Sequence, residues 1–188
     1  GETSPGPDIQ NDADLLAYAR RAGNTLYHPV GTCRMGEDPR AVDALITNET
    51  SWLRDAEPFQ VLAQTVVPEL VASRSEQRTL TVWSAACSTG QEPYSLAMMV
   101  DDMLTSQGWC YRIVATDVSG YALTRAKTGS YRQLEINRGL PASLLVRHFT
   151  RDGTNWQISD DMRRRIEFAT NNLVEDRLPL DRADVVLL

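Results

Sequence analysis

An α/β fold built on a parallel sheet is predicted by three features of this 188-residue sequence. Apolar segments of strand length, Leu80 to Trp83 and Tyr111 to Thr116, alternate with segments that carry apolar residues at helical spacing. A turn of small residues follows the first strand, and an acidic residue, Asp117, follows the second. Strands that alternate with helices form parallel sheets with right-handed crossovers, so we expect that architecture here.

Composition is typical of one ordinary globular domain, with 42% hydrophobic and 23% charged residues. The net charge of -6 argues against nucleic-acid binding, because phosphate contacts need clustered Lys and Arg. The three cysteines show no C-x-x-C spacing, so we expect neither disulfides nor a metal site. No apolar run approaches the roughly 18 to 20 residues that cross a bilayer. We therefore expect a cytoplasmic protein without membrane insertion.

The N-terminal third predicts helices and a loop rather than strands. A short amphipathic helix should begin at Asp12 and end at Gly23. The segment Tyr27 to Gly36 is broken by proline and glycine and is predicted to be a shaped loop. A second helix should begin near Ala56, and Pro68 should kink or interrupt it.

The rest of the chain supplies the sheet and an insertion. Ser119 is a predicted N-cap for the helix after the second strand. Two further short strands are expected at Ile166 to Thr170 and at Asp184 to Leu188. Between the helix that Ser119 caps and the strand at Ile166 to Thr170, the segment Tyr131 to Ser159 is rich in polar residues and in residues that break regular structure. It has a hairpin-like pattern near Trp156. A small β insertion is the prediction.

The turn after the first strand points to a cofactor. Ligands of open α/β sheets bind outside the carboxyl ends of the strands, and small side chains from Ser84 onward allow close approach to the backbone. Glu92 falls in the first helical turn, and Asp117 is placed to accept two ribose hydroxyls. The turn lacks both common phosphate-binding glycine patterns, so a ligand without pyrophosphate, such as S-adenosylmethionine, fits better. Spacing alone leaves an ordinary turn and a helix-capping Asp equally open.

Three strings carry a family resemblance: TNETSWLRD from Thr47, TVWSAACSTGQEPYSLA from Thr81, and ATDVSGYALTRAKTGSY from Ala115. In order and spacing they closely resemble the CheR-type chemotaxis receptor O-methyltransferases. The resemblance covers about three quarters of the chain. It implies a Rossmann-like class I methyltransferase sheet with a β-subdomain, and transfer of a methyl group from S-adenosyl-L-methionine to glutamate side chains of chemoreceptor cytoplasmic domains.

The resemblance also implies roles for particular residues. Arg54 would pair with the carboxylate of the substrate or of the cofactor, Ala86 and Glu92 would lie near the methionine end, and Asp117 would take the ribose hydroxyls. Asn172 and Leu173 would lie beside adenine. The full implied cofactor-binding set is Asn48, Thr50, Arg54, Ala86, Glu92, Asp117, Asn172 and Leu173.

Comparison with that family predicts that the sequence is truncated. It has no counterpart of the family's N-terminal helical domain, and it stops before the last strands and a tyrosine near the reacting groups. We expect an uncovered sheet edge, impaired activity and possible self-association. The short loop RDGTNW from Arg151 resembles the type that does not bind a receptor's C-terminal peptide.

A different family is indicated for the first residues. The string YHPVGTCRMG from Tyr27 resembles the C-terminal region of glucose-methanol-choline (GMC) flavin oxidoreductases, where a histidine in the position of His28 helps to remove the alcohol proton. We therefore predict two domains. Residues 1–43 are a helix-plus-loop oxidoreductase fragment, and residues 44–188 are the methyltransferase region, with its β-subdomain at about 131–162. An FAD-dependent oxidoreductase fragment and a non-catalytic receptor-binding module remain alternatives, and His28 is more simply an inert loop residue.

Overall fold

A computed structural model of the chain describes residues 48–173 and 179–188. The helix predicted from Asp12, the loop from Tyr27 to Gly36, His28 and the boundary between 43 and 44 lie outside the described residues. The division into two domains therefore stays a prediction.

A parallel four-stranded sheet forms the centre of the described structure. Its strands are β1 (Thr79–Ala85), β2 (Cys110–Asp117), β6 (Ile166–Thr170) and β7 (Val185–Leu187), in the order β6-β2-β1-β7. All four strands were expected from the apolar pattern. The predicted α/β fold is confirmed.

A second, antiparallel sheet lies in the insertion. Its strands are β3 (Ser130–Arg132), β4 (Phe149–Asp152) and β5 (Asn155–Ile158), in the order β3-β5-β4. The β insertion predicted at this place is confirmed, and β3 begins one residue before it. Two short helices that the sequence pattern did not indicate lie between β3 and β4.

The described helices surround the parallel sheet and link it to the insertion. They are α1 (Ala56–Val61), α2 (Val67–Ser73), α3 (Gln91–Leu104), α4 (Gly120–Thr128), α5 (Gln133–Ile136), α6 (Ala142–His148) and α7 (Asp160–Arg164). A π-helical segment, Leu62–Val66, joins α1 to α2, and a 3-10 turn, Thr105–Gln107, follows α3. Regular α-helix is thus interrupted just before Pro68, as its missing N–H predicts. None of these helices is both long and apolar enough to span a bilayer.

Successive side chains of β1 point alternately to the two faces of the sheet. Leu80 and Val82 join the main core, which includes buried residues of α3 and α4. Trp83 and Ala85 point to the opposite face, where they pack with Val114. The end of β1 therefore has apolar packing on both faces of the sheet.

Candidate functional site

The turn from Ala86 to Gly90 has an unusual backbone. Ala86 and Ser88 adopt left-handed φ angles of 59° and 50°, although neither is glycine. Such conformations cost of order 1 kcal/mol each and persist only when the surroundings impose them. Gly90 has φ 94°, and a Cβ there would lie 2.9 Å from Cβ of Ala126 on α4. The turn is therefore strained and closely packed.

Asp117 at the end of β2 holds this turn in place. Its Oδ2 accepts the N–H of Ser88 at 2.7 Å and its Oδ1 accepts the N–H of Ser119 at 2.8 Å. The N–H of Cys87 donates to the carbonyl of Thr116 at 2.9 Å. Each oxygen of the buried Asp117 carboxylate keeps a second lone pair, so it can still accept a hydrogen bond from a ligand.

Two cavities open beside the turn, and Ala86 lines both of them. The larger, of about 590 Å³, contains Glu92 and Arg54, and the smaller, of about 180 Å³, contains Asp117. The larger is lined by Glu49, Thr50, Arg54, Asp55, Pro58, Phe59, Ala85, Ala86, Cys87, Ser88, Glu92, Val186, Leu187 and Leu188. The smaller is lined by Ala86, Asp117, Val118, Asn171, Asn172 and Leu173. We call the two together the cleft.

Carboxylates outnumber cations along the cleft. Glu49, Asp55 and Glu92 face the larger cavity with Arg54 as its basic residue. Glu92 Oε1 accepts a hydrogen bond of 2.7 Å from the fully buried hydroxyl of Ser84. Burial raises the pKa of Glu92, and the Ser84 bond and the charge of Arg54 partly offset this. A ligand with positive charge would be favoured here because it would compensate these carboxylates.

The thiol of Cys87 also lines the larger cavity but is poorly suited to nucleophilic chemistry. Its pKa is raised strongly by burial, and the neighbouring charges of Asp117 and Glu92 raise it further. A thiol protonated at neutral pH is a weak nucleophile.

The segment Glu49 to Asp55 forms one wall of the larger cavity. Trp52 anchors it, because its side chain is 1% exposed and packs edge-on against Tyr131 and Phe149, at ring-centroid distances of 4.8 and 5.4 Å. Ser95 on α3 accepts the N–H of Leu53 at 3.1 Å. These contacts hold the chain at Trp52 and Leu53.

Arg54 is the most exposed of the predicted site residues on this wall. Its side chain is 58% exposed, donates to the carbonyl of Glu49 at 3.0 Å and lies 3.8 Å from the carboxylate of Asp55. Contacts of this kind are weak at a surface. The guanidinium is therefore free to exchange them for a stronger carboxylate partner.

The cleft brings together most of the residues that the sequence predicted. Thr50, Arg54, Ala86 and Glu92 line the larger cavity. Ala86, Asp117, Asn172 and Leu173 line the smaller one. Asn48 lies elsewhere: with Thr50 it lines a separate cavity of about 200 Å³ that also contains Arg125 and Arg138. Which of these residues bind a cofactor stays a prediction.

Several lining residues were missed by the sequence reasoning. Glu49 and Asp55 stand next to predicted residues, so the same string could have suggested them. Nothing in the sequence indicated that Phe59 lines the cavity, because its position in α1 is typical of an ordinary core residue. Within the described residues no group of three or more His, Cys, Asp or Glu side chains could hold a metal ion.

Fold and site together define an α/β protein with an acidic cleft at the carboxyl ends of its parallel strands. The profile of the CheR methyltransferase SAM-binding domain matches residues 48–188, and the chain belongs to that family. Among curated proteins, chemotaxis protein methyltransferase 1 of Pseudomonas aeruginosa is 45% identical over 166 residues, which are 86% of this chain and 60% of that protein.

Two further relatives agree with this assignment. Chemotaxis protein methyltransferase Cher2 of Pseudomonas putida is 44% identical, over 81% of this chain and 57% of that protein. A chemotaxis protein methyltransferase of Vibrio anguillarum is 40% identical, over 78% of this chain and 54% of that protein. The chain spans about three fifths or less of the length of these relatives.

The N-terminal resemblance is matched as well. A GMC oxidoreductase family profile matches residues 1–50. That match is short and lies almost wholly outside the described residues. It supports the resemblance but not FAD as a cofactor, and the oxidoreductase alternative is not favoured.

Proposed function

We propose that this chain binds S-adenosylmethionine in the cleft and is the cofactor-binding part of a protein-glutamate O-methyltransferase that acts on chemoreceptors. The observation that carries the proposal is that Ala86 lines two neighbouring cavities, one lined by Glu92 and the other by Asp117. The named relatives are chemotaxis methyltransferases, which supports the same reaction.

The residues of the cleft fit this cofactor in shape and charge. Asp117 has lone pairs for two ribose hydroxyls, and the half-exposed Leu173 offers an apolar surface to adenine beside Asn172. Glu92 can pair with the ammonium group of the methionine end. The acidic lining suits a ligand that is positively charged at sulfur and at nitrogen.

The proposed reaction needs little acid or base chemistry from the protein. The cofactor supplies a methyl group on a sulfonium sulfur, and a glutamate carboxylate is already a nucleophile at neutral pH. The chain's residues would hold the two reactants in line and exclude water. Arg54 would orient a carboxylate, of the substrate or of the cofactor, because the guanidinium fork can donate two parallel hydrogen bonds.

Chemoreceptor cytoplasmic domains are the proposed partners, and a cytoplasmic location remains a prediction. Self-association through the incomplete sheet, at its edge strand β7, is also still a prediction. Val186 in this strand is 52% exposed. Nucleic-acid binding is not proposed.

Isothermal titration of the full chain with S-adenosylhomocysteine tests cofactor binding. We expect saturable heat with S-adenosylhomocysteine and none with ATP or NAD, which carry phosphates that an acidic cleft repels. A folded chain that gives no heat with S-adenosylhomocysteine at high concentration would refute the proposal.

Methyl transfer is tested with radiolabelled S-adenosylmethionine and chemoreceptor cytoplasmic segments. Incorporated label should be released by base as methanol, because a glutamyl methyl ester is base-labile. Receptor segments in which the acceptor Glu is replaced by Gln should incorporate less label. Receptor segments that bind wild type and Asp117→Ala equally but accept no label would instead indicate a non-catalytic receptor-binding module.

A further inference from the structure

Tyr131 of β3 belongs to the insertion but reaches the turn beside the cleft. Its side chain is 1% exposed, and its hydroxyl donates a hydrogen bond of 2.9 Å to the carbonyl of Thr89. Thr89 lies between Ser88, whose N–H is held by Asp117, and the closely packed Gly90. The bond therefore restrains the strained turn one residue after the position that Asp117 holds.

The ring of the same tyrosine supports the other wall of the cleft. It packs edge-on against Trp52, with ring centroids 4.8 Å apart and an interplanar angle of 76°. Trp52 also donates its backbone N–H to the carbonyl of Arg138, just after α5, at 3.0 Å. Thr50 and Arg54, which line the larger cavity, are each two residues from Trp52 along the chain.

We propose that Tyr131 is a positioning residue for the cleft, which couples the packing of the insertion to cofactor affinity by holding the Thr89 turn and the Trp52 segment at a fixed separation. This inference rests on the proposed binding of S-adenosylmethionine. Without the Tyr131 hydroxyl, the Thr89 carbonyl loses its partner and the left-handed turn loses one of the contacts that impose it.

Tyr94 provides a matched control. It is also a fully buried tyrosine, and its hydroxyl donates to a backbone carbonyl, that of Ala126, at 3.0 Å. Thr89 belongs to the turn beside the cleft, whereas Ala126 belongs to helix α4. Tyr131→Phe and Tyr94→Phe thus remove the same kind of bond from equally buried sites, and only the first bond is made to the turn.

The test compares the affinity of the two variants for S-adenosylhomocysteine with their stability. Both variants should lose similar thermal stability, whereas Tyr131→Phe should weaken binding roughly three- to tenfold and Tyr94→Phe by less than about twofold. A purely structural role for Tyr131 predicts equal changes in affinity for the two variants. That result, or unchanged affinity in Tyr131→Phe, would overturn the inference.

Amide hydrogen exchange supplies a second readout that does not depend on ligand. Exchange at Ser88 to Gly90 should accelerate in Tyr131→Phe but not in Tyr94→Phe, and equal rates would overturn the inference. If wild type does not bind S-adenosylhomocysteine, the proposed function fails while this comparison still decides the role of Tyr131. Should Tyr131→Phe not fold, ligand added to wild type must slow exchange at Tyr131 and Trp52, and protection confined to the turn would refute the coupling.

Discussion

The backbone N–H of Ser88 lies 2.7 Å from Oδ2 of Asp117 and donates a hydrogen bond to it. This contact joins the carboxyl ends of β1 and β2, because Ser88 follows one strand and Asp117 ends the other. The second carboxylate oxygen accepts the N–H of Ser119. Asp117 therefore shapes the cleft whether or not it also binds a ribose.

Asp117→Asn should reduce both stability and binding. The amide nitrogen of asparagine cannot accept either backbone N–H, so one donor is left without its partner and the free energy of unfolding should fall by about 1 to 3 kcal/mol. The affinity for S-adenosylhomocysteine should fall by about tenfold or more. Denaturant unfolding and calorimetry measure the two effects. Asp152→Asn, at an exposed position in the β4–β5 hairpin, should change neither.

Gly90→Ala should be destabilising for two separable reasons. The φ of 94° is unfavourable for alanine, and the new Cβ would lie 2.9 Å from Ala126 and 3.0 Å from the hydroxyl of Tyr131. Gly153→Ala isolates the first effect, since its φ is 57° and its Cβ meets nothing within 4 Å, and a loss of about 1 kcal/mol is expected there. Gly120→Ala has neither problem and should be close to neutral. If Gly90→Ala loses no more stability than Gly153→Ala, the close approach is unimportant.

The elements that the sequence predicted well are those set by local pattern. The strands β1, β2 and β6 lie at the apolar segments that the sequence predicted to be strands. Ser119 caps α4, as predicted, by accepting the N–H of Ala122. The placement of Asp117 at the end of a strand followed from the same local reasoning. Short-range periodicity and capping chemistry are sufficient for such predictions.

The features that the sequence did not predict depend on contacts between distant residues. Left-handed φ at Ser88 is imposed by Asp117, 29 residues away, and no local preference indicates it. Trp52 packs against Tyr131 and Phe149, which are distant from it in the chain. Asn48 falls beside Arg138 rather than in the cleft because the chain at Trp52 is bound to the insertion. Tertiary packing decides such positions.

Asp184 should be important for attaching β7 to the sheet. Its carboxylate accepts the N–H of Thr81 at 2.8 Å and forms an ion pair with Arg74. Burial opposes ionisation of this carboxyl, but Arg74 and the Thr81 N–H outweigh it and lower the pKa of Asp184. The stability from this group is present above the unfolded pKa and is lost as the pH falls through the folded one.

Asp184→Ala should therefore lower the free energy of unfolding near neutral pH by about 1 to 3 kcal/mol, and by less at acidic pH. Denaturant melts at several pH values measure this. Arg182→Ala is the control, because that side chain is 72% exposed and lies 3.9 Å from Asp184, a contact worth little. A loss of stability that does not depend on pH would contradict the electrostatic explanation.

The pH dependence of ligand binding should report on Glu92. Its pKa is raised, chiefly by burial, so the folded chain retains this proton at a higher pH than the unfolded chain does. Its contribution to stability is complete below the unfolded pKa and is lost as the pH rises through the folded pKa. Glu92→Gln should accordingly make the free protein more stable at pH values above the folded pKa, where the wild type carries a buried charge.

Ligand binding should respond to Glu92 in the opposite sense, because the proposed partner of its ionised form is the ammonium group of S-adenosylhomocysteine. Affinity should fall as the pH is lowered through the raised pKa, and Glu92→Gln should bind more weakly above that pKa and lose this pH dependence. Ser84→Ala removes a hydrogen bond that lowers the pKa of Glu92, so the midpoint should move to higher pH. Glu167→Gln, in an exposed ion pair with Arg112, should leave the profile unchanged. A wild-type profile that persists in Glu92→Gln would assign the titration to another group and remove Glu92 from the site.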